Sequence, residues 1–212
     1  MNFLAVGAHP DDVELGCFGT LLEKKREGHG VYAVALCPGK YGSHAFDEIE
    51  ERWGRARKIL RGGKGKADYV LGKFPNGGLA PGWDTVGFLD DLVKEFDINA
   101  VITHHYGEAH QDHVAAQRIA SSAARRHVDA FWLWESSIYT HRNVFPFRPQ
   151  LYVPLSKASF DGKMEALEGY RDAGLLEPQE VEAHRHLAQY RGAELRRDYA
   201  EAFEVVWQVH TG

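Results

Sequence analysis

Two short stretches hold residues whose types and spacing could do chemistry. Ala8-His9-Pro10-Asp11-Asp12-Val13-Glu14 carries a histidine and two adjacent aspartates, and His110-Gln111-Asp112-His113 carries two histidines and a third aspartate. Imidazole nitrogen and carboxylate oxygen are common ligands of a catalytic zinc ion, which takes three protein ligands and keeps one position open. Each stretch follows an apolar run of strand length, Asn2 to Gly7 and Ala100 to Thr103, and precedes a helical pattern, Val13 to Glu27 and Gln111 to His127. In open α/β sheets ligands bind at the carboxyl ends of strands, so two such ends bearing His and Asp can converge on one metal ion. Alone, the first stretch has a blander account. Asp11 and Asp12 beside Pro10 read as an ordinary helix start, where acidic groups satisfy free amides and suit the helix dipole.

The elements that must position these side chains follow a regular alternation. Gly28-His29-Gly30 closes the first helix, and Val31 to Cys37 is a nearly continuous apolar run, as in a strand covered on both faces. Pro38 to His44 is a glycine-containing loop at that strand's carboxyl end. Phe46 to Leu60 reads as a helix, acidic at its start and basic at its end. Ala67 to Leu71 is a third strand, and Trp83 to Phe96 a helix with Val86, Leu89, Leu92, Val93 and Phe96 as its apolar face. This pattern predicts an α/β fold, a Rossmann-like three-layer sandwich around a mostly parallel sheet, with the metal site at the carboxyl ends of the strands. Beyond residue 128 the pattern changes. Phe131 to Trp134 and Leu151 to Leu155 are short strands separated by an aromatic, irregular stretch from Ser136 to Pro149. Lys163 to Tyr170 and Pro178 to Ala200 are helical, the latter broken near Gly192, and Phe203 to Val209 is a strand or a helix end. The expectation is a single domain over residues 1–212, its C-terminal third folded over the carboxyl edge of the sheet to wall the site.

Composition excludes several classes. The 212 residues are 44% hydrophobic, enough for a core in one domain. A net charge of −5, with 25 basic and 30 acidic residues spread along the chain, lacks the basic stripe of a nucleic-acid binder. No apolar run approaches the roughly 18 to 20 residues that cross a membrane. The start of the chain lacks a basic n-region, and its apolar residues serve better as a strand. Cys17 and Cys37, both in apolar surroundings, are free thiols of a reducing compartment. A cytoplasmic location is expected.

Ala8-His9-Pro10-Asp11-Asp12-Val13-Glu14, followed by Gly16 and Gly19 and later by His110, Asp112 and His113, resembles the LmbE-like or PIG-L-type zinc-dependent N-deacetylases. Weaker likenesses extend along the chain, at Cys37-Pro38-Gly39, at Phe74-Pro75-Asn76-Gly77-Gly78-Leu79, at Lys163 to Tyr170 and at Tyr199 to Phe203. The resemblance implies His9, Asp12 and His113 as the ligands of Zn2+. Two histidines and one carboxylate also match non-haem iron sites, so ligand types do not exclude Fe2+. It implies Asp11 as general base, a role a carboxylate beside metal-activated water can fill, and His110 as the group that stabilises the oxyanion, which a protonated imidazole could do. For His110 a fourth metal ligand or an ordinary polar residue is the alternative. Asp112 most simply orients and charges one of these histidines, and Glu14 is structural.

The chain departs from the family's pattern in places. Gly16-Cys17-Phe18-Gly19 stands where Gly-x-Gly-Gly is usual, which changes helix packing. Arg52, out of register with the family's arginine, is a substrate-binding candidate or a solvated helix residue. Asn76 stands where Asp is usual and is a second substrate-binding candidate. What the resemblance implies is hydrolysis of acetyl from an N-acetylglucosamine-type amino sugar, such as a bacillithiol precursor, by a homo-oligomer. The rivals are hydrolysis of another amide, such as a thiol conjugate, and a non-catalytic sugar or nucleotide-binding module. Against the last, His-Pro-Asp-Asp occupies the place of a phosphate-cradling glycine loop.

Overall fold

Side-chain alternation along the first strand sets the layers. In β1 (Asn2–Gly7), Phe3 and Ala5 enter one buried cluster and Leu4 and Val6 another. Successive side chains of a strand point to opposite faces, so both faces of this strand are covered. The same division holds in β2 (Gly30–Ala35), where Val31 and Ala33 pack on one side and Tyr32 and Val34 on the other. In this computed structural model, residues 1–39, 49–135 and 145–209 are described, with the backbone alone at 49–52.

The sheet has seven strands in the order β3-β2-β1-β4-β5-β7-β6. Strands β3 (Ala67–Leu71), β2, β1, β4 (Ala100–Thr103) and β5 (Ala130–Trp134) are mutually parallel. Antiparallel strands β7 (Ala200–Gln208) and β6 (Leu151–Pro154) complete the other edge. Helices α1 (Asp12–Gly16), α2 (Phe18–Arg26), α3 (Ile49–Arg61), α6 (Lys157–Asp172) and α7 (Pro178–Glu194) accompany the first cluster. Helices α4 (Trp83–Glu95) and α5 (Gln111–Ala124) close the second. Helices on both faces of a mostly parallel sheet make the expected three-layer α/β sandwich.

Three sequence expectations need correction. The first helix is two helices, broken at Cys17, where φ is −149° and ψ 16°. The break is held from outside. Lys163 Nζ on α6 donates to the Leu15 carbonyl at 2.9 Å, and Glu201 on β7 accepts the Gly19 and Thr20 amides at 3.2 and 2.7 Å. Lys163 and Glu201 pair at 2.6 Å while both are buried, a contact whose one-sided removal costs about 3–5 kcal/mol. Gly16 is required there, because a Cβ would overlap the Trp134 ring. Helix α6 begins at Lys157, six residues earlier than expected, because Ser156 caps it by accepting the Ser159 amide. Helix α7 ends at Glu194 rather than Ala200, and residues 200–208 are a strand. β7 and β6 extend the sheet sideways, α6 and α7 cover one face, and Phe145 and Phe147 pack on the loop after β4 against Tyr106 and His105. The expected loop from Pro38 to His44, the start of the helix at Phe46 and the stretch from Ser136 fall partly or wholly outside the described residues.

His184, on the inner side of α7, illustrates the chemistry of that face. It is 2% exposed, its Nδ1 has no hydrogen-bond partner, and burial together with Lys163 pushes its pKa down to about 3. Lys163, Glu201, Glu135 and Arg191 line the same small cavity. An unfolded histidine takes its proton near pH 6.5, whereas folded His184 stays neutral until about pH 3. Stability from this residue is therefore complete above about pH 6.5 and falls as the pH drops towards 3, by at most about 1.4 kcal/mol per pH unit. Urea unfolding at stepped pH values from 7 to 4 should show His184→Gln losing stability less steeply than wild type, by close to one proton. Equal slopes would show that His184 is charged in the folded protein.

Candidate metal centre

Strands β1 and β4 are parallel neighbours, with Val6 opposite Thr103, and Thr103 Oγ1 donates to the Val6 carbonyl at 2.8 Å. On either side of this pair the strand order runs in opposite directions, so their carboxyl ends open the crevice where doubly wound sheets bind ligands. The turn from Ala8 to Asp11 leads from β1 into α1, and the loop from His104 to His110 leads from β4 into α5. The two sequence stretches thus meet.

Asp12 is at the centre. Its Oδ2 accepts the His9 amide at 2.7 Å and lies 3.6 Å from His9 Nδ1 and 3.2 Å from His104 Nε2, while Oδ1 lies 3.2 Å from His113 Nε2. Burial opposes its charge, yet His113 and His104 hold the carboxyl well below the usual range. His113 Nδ1 makes a short hydrogen bond to Glu108, leaving Nε2 buried and without a hydrogen-bond partner. Burial works against a charged imidazole here, but Asp12 and Glu108 raise the His113 pKa to about 10. The pocket therefore favours a positive charge among these groups, which either a proton or a metal ion supplies. Ligand atoms of His9, His110 and His113 lie within 4.8 Å of one another, as do those of Asp12, His104 and His113. His113 is common to both sets. The orphaned nitrogen, the ionised aspartate and the all-N/O donor set fit Zn2+ or Fe2+.

The other expected residues are nearby. Asp112 Oδ2 lies 3.2 Å from His9 Nε2 and accepts the Gly77 amide at 2.6 Å, while Oδ1 accepts the Leu79 amide at 3.2 Å. It joins His9 to the loop after β3. Burial opposes its charge as well, and the bonds from His9, Gly77 and Leu79 keep its pKa low. His110 caps α5: its Nδ1 accepts the Asp112 amide at 3.2 Å, and its ring stacks on His113 at 4.5 Å. Since Nδ1 is an acceptor, the proton resides on Nε2. Burial, His113 and His9 lower the His110 pKa, so a neutral Nε2–H donor replaces the protonated imidazole expected from sequence.

Asp11 does not cap α1 with its side chain, and it holds φ at 121°, a conformation that non-glycine residues rarely adopt. Burial, then Asp12 and Glu14, raise its carboxyl well above the usual range. Glu14 is fully buried, accepts a bond from Tyr69 OH at 3.4 Å and is pushed up by burial to about 7. Asn76 Nδ2 donates to the Gly39 carbonyl at 3.0 Å and so ties together the loops after β2 and β3. The Arg52 side chain lies outside the described residues.

Sequence reasoning missed His104 and Glu108. His104 is 1% exposed, sits edge-on to Trp134 at 4.7 Å and contacts both Asp12 and Glu108. A signal was available: His104 follows β4 directly, much as His9 follows β1 across one residue.

A family model for PIG-L, the GlcNAc-PI de-N-acetylases, matches residues 4–124. The chain belongs to this family. Among its relatives, Escherichia coli (strain K12) has the uncharacterized deacetylase YaiS, 30% identical over 175 residues that cover 80% of this chain and 90% of YaiS. Two solved structures share the fold at 18% identity. The hydratase GalB of Pseudomonas putida KT2440, which acts on 4-carboxy-2-hydroxymuconate, has a TM-score of 0.80 over 100% of this chain and 99% of its own. The N,N'-diacetylchitobiose deacetylase of Pyrococcus horikoshii has a TM-score of 0.72 over 97% and 83%. One fold thus hosts a hydratase and a deacetylase, and the choice of reaction belongs to the site. Among the described residues no helix is long and apolar enough to cross a membrane.

Proposed function

We propose that the protein is a metal-dependent amide hydrolase, a single domain over residues 1–212, that removes acetyl from an N-acetylglucosamine-type amino sugar. The observation that carries this reading is the buried, unpartnered His113 Nε2 beside ionised Asp12 at the β1–β4 crevice. His9, Asp12 and His113 would hold the ion, with His110 the alternative fourth ligand. When bound, Zn2+ or Fe2+ polarises a carbonyl and acidifies water. Asp11, whose carboxyl burial and its acidic neighbours make more basic, takes the proton of the attacking water. His110 donates Nε2–H to the oxygen that becomes negative as the acetyl carbon turns tetrahedral. Asp11 then returns its proton to the departing amine. Asp112 keeps His9 facing the ion. Family membership and the deacetylase relative support amide hydrolysis over the hydratase reaction.

The test is acetate and amine release over a panel of N-acetylated mono- and disaccharides, with and without chelator. Equimolar acetate and amine, abolished by chelator and restored by Zn2+, is the expected result. Undiminished turnover in fully metal-free protein would refute the reading. Sugar binding without acetate would leave the binding module in its place.

A further inference from the structure

We infer that Glu108 is a positioning residue that fixes the tautomers of two buried imidazoles, His104 and His113, and thereby makes Asp12 and His113 competent to hold a metal ion. The inference builds on the assignment of His113 as a ligand. It starts with the loop that carries Glu108. After β4 the chain places His105 away from the crevice, where its Nε2 lies 3.2 Å from Glu204 on β7 and its Nδ1 accepts the Gly107 amide at 3.1 Å. The Glu108 amide donates to the His105 carbonyl at 3.3 Å, closing a turn. The turn directs the Glu108 carboxylate inward, and the residue is 5% exposed.

One carboxylate then serves two rings. Glu108 Oε1 lies 3.3 Å from His104 Nδ1, and Oε2 makes the short bond to His113 Nδ1. A carboxylate set between two ring nitrogens in this way accepts from both. Both Nδ1 atoms must therefore be donors. A separate contact agrees for His104, whose Nε2 accepts the Ala8 amide at 3.1 Å and must carry a lone pair. In His113 the same arrangement aims Nε2 at Asp12 Oδ1, 3.2 Å away, so that a metal ion binding there takes the place of the Nε2 proton. His104 Nε2 also lies 3.2 Å from Asp12 Oδ2, which keeps this ring against the carboxylate that His113 faces. Asp112 is related to His9 in a similar way, but Glu108 is the group that acts on His113, the residue shared by both candidate ligand sets.

Glu108→Gln keeps size and shape while turning one acceptor oxygen into an NH2 donor. It can then accept from only one of the two Nδ1–H groups. The other ring must lose its partner or move its proton to Nε2, where it blocks metal binding. Competition for Zn2+ with a chromophoric chelator, at fixed pH on folded protein, should show Glu108→Gln binding about 10- to 100-fold more weakly than wild type. Glu108→Asp, which keeps two acceptors, should recover part of that loss. An affinity equal to wild type in folded Glu108→Gln overturns the proposal. A wild type that binds no Zn2+ overturns the ligand assignment and this inference together, whereas a wild type that binds beside an unaffected variant overturns this inference alone. A measurement free of variants uses nitrogen-15 spectra of zinc-loaded wild type. Protons on Nδ1 of both His104 and His113 support the proposal, and a proton on His104 Nε2 refutes it.

Discussion

Asp11→Asn should fold, retain its metal and lose about 10²- to 10⁴-fold in kcat, the usual contribution of a positioned general base. Asn is close in shape to Asp and is among the few residues that tolerate positive φ, so the backbone at 121° survives. No side-chain cap is lost, because Asp11 makes none. The substitution removes only the carboxylate as a proton acceptor. Asp11→Gly provides the matching stability measurement. Strain at a sparsely populated φ costs about 1–3 kcal/mol, and glycine returns part of that as about 0.5–1 kcal/mol of backbone entropy. The glycine variant should therefore be inactive and about 1 kcal/mol more stable in denaturant unfolding, a stability–activity trade at a single residue. Activity retained by Asp11→Asn would make the residue a bystander. A glycine variant less stable than wild type would show the backbone to be unstrained.

The second large effect separates ligands from neighbours. His113→Ala and His9→Ala should each lose most of the bound metal, measured as metal per chain after gel filtration. His113 matters more, because it belongs to both groups of candidate ligands and its removal leaves the Asp12 and Glu108 carboxylates buried without their shared cation. His110→Ala should keep the metal and lose about 10²- to 10³-fold in rate, as when an oxyanion donor is removed. Its ring stacks on His113 and meets the His9 ring edge-on at 5.0 Å, close enough that ligation is the live alternative. Metal loss from His110→Ala equal to that from His9→Ala would make His110 a ligand and end its role as an oxyanion donor.

The sequence by itself determined the parallel strands and which polar residues stand at their ends. β1 and β4 begin and end where their apolar runs do, because a buried parallel strand needs apolar side chains on both faces. The motifs of His9 and His113 were legible because their residue types at strand ends are unusual. Interactions distant in sequence decided the rest. Gly16 and Gly19 weaken the helix around Cys17, but the break itself is held by Lys163 and Glu201, more than a hundred residues downstream. The strand at residues 200–208 took its pairing from β5 and β6, which residue preference alone did not reveal. His104 and Glu108 lie in an aperiodic loop, and their importance appears only when the turn at Gly107 brings one carboxylate against two imidazoles. Proton placement on a histidine is set by the partner of its other nitrogen, and those partners are fixed by the tertiary fold.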